Sequence, residues 1–162
     1  MLAPTPVLGE AGGRGGEQTM SRITVADFQE IMRESLPFAQ GLGAEVVELG
    51  PARTVLRMPY REDFLRPGGT ISGPMLMGLA DLAMYAIVLA AIGRVELAVT
   101  TSLTINFLRK PPPAGILAQA RLLKLGKRLA VGDVELFIEG DPDMVAHVTA
   151  TYSIPPTEIA VS

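Results

Sequence analysis

The chain has 162 residues, enough for one domain that hides roughly two thirds of its unfolded surface. Its 14 Lys and Arg against 17 Asp and Glu leave a net charge of −3, so no global field favours nucleic acid or an anionic membrane surface. With no cysteine and one histidine, His147, the sequence offers no disulfide, no thiolate nucleophile and no Cys- or His-based metal site, and it suits a reducing cytoplasm.

The first residues, MLAPTPVLGEAGGRGGEQTM, are rich in Gly, Pro and Glu and read as a disordered tail over residues 1–20, followed by a single domain over 21–158. They lack the basic start and apolar block of a signal peptide, and Met20 offers an alternative start. Thr24, with Asp27 three residues on, predicts a capped helix. Phe28, Ile31 and Met32 fall on its inner face, and Pro37 ends it. Ala44–Leu49 and Thr54–Tyr60 are β-prone runs around Gly50-Pro51, which predicts an antiparallel hairpin. A polar loop from Arg61 to Thr70 follows.

Pro74–Ile92, PMLMGLADLAMYAIVLAAI, is apolar on every helical face yet contains Asp81. Ser72 is placed as its N-cap, Pro74 in its first turn and Gly93 at its end. The run approaches the length of a membrane span. The cost of a mid-span carboxylate, Gly78 and the lack of a second span favour instead a helix wrapped by a sheet. An unpaired carboxylate in an apolar core costs several kcal/mol or shifts its pKa, so Asp81 needs a partner, water or a task. It is the first candidate for a reactive group; a structural acid bonded across a dimer is the alternative. Four strands then follow without another helix: Leu97–Leu108, Ile116–Leu125, Arg128–Glu139 and Met144–Ile154. They are separated by Pro111-Pro112-Pro113, Gly126 and Gly140-Asp141-Pro142. One long apolar helix without a partner helix predicts an α+β architecture, a curved antiparallel sheet wrapped around it.

That architecture is the hotdog fold, and the resemblance extends to residues. Gly69-Thr70-Ile71-Ser72-Gly73-Pro74, followed by Leu79-Ala80-Asp81-Leu82-Ala83-Met84, resembles the PaaI-like acyl-CoA thioesterases, whose segment reads G-x-x-H-G-G with an acid later in L-A-D-x-A. Val99-Thr100 through Arg109 is similar to the family's next strand, and Gly126-Lys127-Arg128 to its following turn. The resemblance implies hydrolysis of an acyl-coenzyme A thioester in a site shared across a homodimer or dimer of dimers. It implies no metal and no cofactor, coenzyme A being part of the substrate. Asp81 would be nucleophile or general base, the Gly73 amide the oxyanion donor, and Thr100 the hydroxyl that orients the attacking group.

The chain also departs from the pattern. Ser72 stands for the family His, Pro74 for its second Gly, and Arg66 for the Asn commonly found upstream of that His. Pro74 removes an amide donor, while Arg66 adds a cation that could meet the thioester oxygen or an acidic acyl group. Met75, Met77 and Met84 line an acyl channel or pack the core. Arg109, Lys110, Lys127 and Arg128 are candidates for the coenzyme A phosphates, or else solvated strand ends. His147 reads as a satisfied structural histidine, and Tyr85 is left without a role. A non-catalytic acyl-CoA or lipid-binding hotdog protein is the main alternative. A dehydratase, which wants a His paired with an acid, and a purely structural dimer are the others.

Overall fold

The computed structural model describes residues 20–156; residues 1–19 and the end beyond Pro156, including the tail expected at the N-terminus, lie outside them. Helix α1, Val25–Ser35, begins with the expected capping box. Thr24 Oγ1 accepts from the Asp27 amide at 3.0 Å, and the Thr24 amide donates to Asp27 Oδ2 at 2.8 Å. Its inner face buries Phe28, Ile31 and Met32. A second helix, α2, Pro37–Leu42, was not anticipated. Pro37 does stop α1, but its fixed φ also suits a first helical turn, so one residue ends one helix and starts the next.

The hairpin follows as expected, β1 Glu45–Leu49 against β2 Thr54–Met58. Inside the segment read as a polar loop lie a 3-10 turn, Glu62–Phe64, and a two-stranded ladder, β3 Leu65–Arg66 and β4 Thr70–Ile71. Phe64 is buried, and its carbonyl accepts from the Ser72 amide at 2.9 Å, which aims the chain into the long helix α3, Gly73–Ile92. Ser72 occupies the N-cap position but its side chain makes no capping bond. A capping hydroxyl needs the N2 or N3 amide, and N2 is Pro74, which has none. The Met75 amide bonds the Ser72 carbonyl instead, at 3.1 Å. Gly73 is itself explained by Pro74: a Cβ on the residue before proline disfavours the helical conformation that position 73 must adopt.

Strands β5 Val99–Phe107, β6 Ile116–Leu125, β7 Leu129–Ile138 and β8 Met144–Ser153 complete one six-stranded sheet in the order β1-β2-β6-β7-β8-β5. Every neighbouring pair is antiparallel. The inward residues of β8, Ala146, Val148, Ala150 and Tyr152, are all buried against α3. On the neighbouring strand β7, Gly132 lets the sheet approach α3 closely, because a Cβ there would stand 2.7 Å from Met84 Sδ. The helix α3 is therefore the core of the fold, enclosed by the sheet on one side and by α1 and α2 on the other. Its all-round apolarity serves this enclosure; it is the described helix long enough to cross a membrane, and most of its surface is buried in the protein. Strand β5 is left as an edge of the sheet, with its outer side unpaired among the described residues.

Candidate active site

Asp81 sits midway along α3, on the flank that faces the start of β5. Thr100 and Tyr152 are register partners in the β5–β8 ladder, so the pleat sends both side chains to the same face, toward the helix. There they converge on one carboxylate oxygen. Thr100 Oγ1 donates to Asp81 Oδ1 at 2.6 Å, and Tyr152 Oη lies 2.8 Å from the same atom and 3.0 Å from the Asp81 carbonyl. No described group donates to Oδ2. Tyr152 is 2% exposed, and burial, followed by the Asp81 charge, pushes its phenol above the usual tyrosine range. It therefore stays a proton donor at every ordinary pH. The carboxylate is thus tethered by one oxygen and presents the other.

The carboxylate opens into a cleft of about 270 Å³ between α2, α3 and the start of β5. Leu36, Phe38 and Ala39 form one wall, Gly78, Leu82 and Tyr85 the other. Tyr85, which the sequence left without a role, is buried with its ring 6.1 Å from that of Phe28 and 6.3 Å from that of Tyr152. Its hydroxyl donates to the Glu96 carbonyl at 3.1 Å, and burial pushes its pKa up to about 12.

Gly73 lies elsewhere. At the first turn of α3 its amide has no acceptor within the helix, and a Cβ would meet the Phe107 ring at 3.1 Å. It opens into a separate cavity of about 560 Å³ with Arg66, Thr70, Arg109 and Lys110. Arg66 and Lys110 form no ion pair with any described carboxylate, whereas Arg109 is held by Asp141 at 2.8 Å and by the Asp143 carbonyl. Within one chain, Gly73 and Asp81 are separated by about 12 Å along α3, at 1.5 Å per residue. They cannot reach one carbonyl group together. Lys127 and Arg128 are further still, in a third cavity of about 1110 Å³ at the C-terminal end of α3 beside Ala91 and Ile92, where Arg128 Nε donates to the Ile154 carbonyl. Pro74 is exposed and Ser72 half-buried. Met75 packs on the core and lines neither cleft, Met84 is fully buried, and Met77 is exposed.

His147 is remote from Asp81, on the outer face of the sheet. Its Nε2 lies 3.0 Å from Asp133 Oδ2, and Arg121 meets the same carboxylate through two nitrogens at 2.7 and 3.1 Å. Burial alone raises the Asp133 pKa, but the Arg121 guanidinium and His147 outweigh it and hold the group below the usual aspartate range. A carboxyl with a depressed folded pKa contributes stability that is complete above its unfolded value near 3.8 and is lost as pH falls through the folded value. Urea unfolding of the native chain and of Asp133→Asn, from neutral pH to about pH 3, should show the gap between them closing only below about pH 4. A gap that is constant with pH rules out the ionic contribution. Among the described residues no cluster of three or more His, Cys, Asp or Glu is placed to hold a metal.

Residues 68–145 match the thioesterase superfamily. A solved structure of a candidate thioesterase from Silicibacter sp. TM1040 is 45% identical, covers 88% of this chain and 97% of its own, and superposes with a TM-score of 0.74. The chain belongs to the thioesterase superfamily. A mutant form of the phenylacetic acid degradation protein PaaI from Thermus thermophilus is 32% identical over 74% of this chain and 99% of its own, with a TM-score of 0.66. A candidate esterase of Saccharolobus solfataricus is 26% identical over 132 residues, 82% of this chain and 93% of the relative. A Haemophilus influenzae thioesterase, 17% identical with a TM-score of 0.77, shares the fold. The architecture is thus the hotdog fold, and membership of the thioesterase superfamily supports hydrolase activity.

The residue that sequence reasoning missed is Tyr152. A signal was present: it continues the inward alternation Ala146, Val148, Ala150, and a tyrosine on a core-facing position needs a partner for its hydroxyl. Phe38 was missed with the helix that carries it, and Leu36 with the junction between α1 and α2.

Proposed function

We propose that this member of the thioesterase superfamily hydrolyses acyl-coenzyme A thioesters, with Asp81 as general base or nucleophile. The observation that carries the reading is the Asp81 carboxylate, tethered through Oδ1 by Thr100 and Tyr152 and open to an apolar cleft through Oδ2. A base needs a fixed direction of attack and a proton-accepting oxygen within reach of substrate or water, and this arrangement supplies both.

The oxyanion donor comes from a second copy. Thr100, bonded to Asp81, stands near one end of edge strand β5, and Phe107, packed on Gly73, stands at the other. Pairing β5 with the same strand of another copy, antiparallel about a two-fold axis, lays each strand's first end against its partner's last. Asp81 then faces Gly73 of the partner subunit, and the two clefts of about 270 and 560 Å³ join. The Gly73 amide and the positive end of the twenty-residue helix meet the thioester oxygen. Arg66 and Lys110 from the same end supply charge for coenzyme A phosphates. Attack by water with its proton going to Asp81, or by Asp81 itself, gives a tetrahedral oxyanion. Its collapse breaks the C–S bond. In the water route this leaves the free acid, and Asp81 passes its proton to the coenzyme A thiolate; in the direct route it leaves an anhydride on Asp81, which a water hydrolyses to free acid and Asp81, the proton so released going to the thiolate. Lys127 and Arg128, at the far end of α3, reach only an outlying part of the coenzyme, and no cofactor is required.

Thiol release from a panel of acyl-CoAs tests the reading. Turnover on at least one class is expected. Thermal stabilisation by acyl-CoA without any turnover would transfer the chain to the non-catalytic binding proteins of this fold.

A further inference from the structure

The cleft at Asp81 has an end as well as a mouth. One helical turn past Asp81, about 6 Å along α3, Tyr85 crosses the cleft with its hydroxyl bonded to the Glu96 carbonyl at 3.1 Å. The Glu96 side chain is itself held by Arg94, which also bonds Glu30 of α1, so this closure is braced from two elements. The roof is Phe38. The residue is 57% exposed, yet its ring is seated directly on α3. A Cβ added to Gly78 would fall 2.3 Å from Phe38 Cε1 and 2.4 Å from its Cζ. Gly78 is what lets the ring touch the helix, in the wall of the cleft that Asp81 also lines.

Resting on the acyl-CoA reading, we propose that this cleft takes short acyl groups and that Phe38 is the residue that sets the limit. Tyr85, one helical turn past Asp81, bounds the cleft close to the carboxylate, so the space in front of it suits a short acyl chain. A volume of about 270 Å³ is at the lower edge of ligand pockets. A longer chain is deflected by the braced Tyr85 against the Phe38 ring, and desolvates only if that ring leaves Gly78. Removing the ring opens a side exit between α2 and α3, along which a longer chain can lie against Leu36 and Leu82. Phe38 is on the surface and outside the central core, so its loss leaves the fold intact.

The test is kcat/KM over saturated acyl-CoAs from acetyl to dodecanoyl, for the full native chain, Phe38→Ala and Phe38→Leu. The native profile is expected to peak near butanoyl to hexanoyl and to fall about tenfold or more by decanoyl. Phe38→Ala should raise the decanoyl-to-butanoyl ratio about tenfold, with Phe38→Leu between the two. A native profile that stays flat out to dodecanoyl, or one whose shape is the same in Phe38→Ala, overturns the length limit while leaving the thioesterase reading in place. No turnover on any saturated member overturns the length limit, and it overturns the thioesterase reading as well only if aromatic and dicarboxylic acyl-CoAs also release no thiol.

Discussion

Asp81→Asn is expected to lower kcat by about 10³-fold on any acyl-CoA the native chain turns over, since a positioned base or nucleophile contributes of that order. The fold should survive. Asparagine has the same shape, and its Oδ1 still accepts from Thr100 and Tyr152, which tether the native carboxylate through Oδ1. Thermal unfolding of the variant checks that the loss is chemical. A fall of less than tenfold removes Asp81 from the reaction. Tyr152→Phe should cost less, about tenfold in kcat with KM little changed, because Thr100 still holds Oδ1. In an Asp81→Asn background the same change should cost almost nothing more, because a positioning residue acts only through the group it positions.

Mixed dimers provide the second large effect. Gly73→Val places a side chain where the Phe107 ring already stands, on a residue that precedes proline, and should displace the first turn of α3 together with its amide. That variant and Asp81→Asn should each be nearly inactive alone. Unfolded together and refolded as a mixture, they should recover about a quarter of native activity. Half of the dimers then pair the two variants, and each such dimer holds one site with both Asp81 and Gly73 intact. Recovery absent from mixtures proven to contain the hybrid dimer places both groups in one chain's site, against the 12 Å or so that separates them along α3.

Much of the fold was legible because its signals are local. The capping box at Thr24, the apolar run to Gly93, the hairpin around Gly50-Pro51 and four later strands are written in side-chain period and turn residues. The failures were also local. Helix α2 is too short to show a period, and Pro37 carries two opposite meanings. The β3–β4 ladder has two residues per strand, below the length at which alternation is readable. Ser72 takes the N-cap position expected of it but makes no side-chain cap, since Pro74 has no proton to offer its hydroxyl and the Met75 amide bonds its carbonyl instead.

The site divides in the same way. Asp81 stands out in sequence because a charged group among apolar residues is costly wherever the helix packs, and that cost needs no knowledge of neighbours. Its environment has no such signature. Thr100 and Tyr152 are far apart along the chain, and only strand register brings them opposite one another and over one oxygen. Arg66, Arg109 and Lys110 gather beside Gly73, while Lys127 and Arg128 lie at the other end of the same helix. Composition cannot distinguish these two groups of cations; the direction of α3 and the order of strands do. The sequence by itself determined one core helix, the sheet that must cover it and the acid that needs a partner, because period, capping and desolvation act over a few residues. The tertiary structure alone decided which hydroxyls hold that acid, how far it lies from Gly73 and where its cleft ends, because those distances depend on register between strands that the chain joins only after long separations.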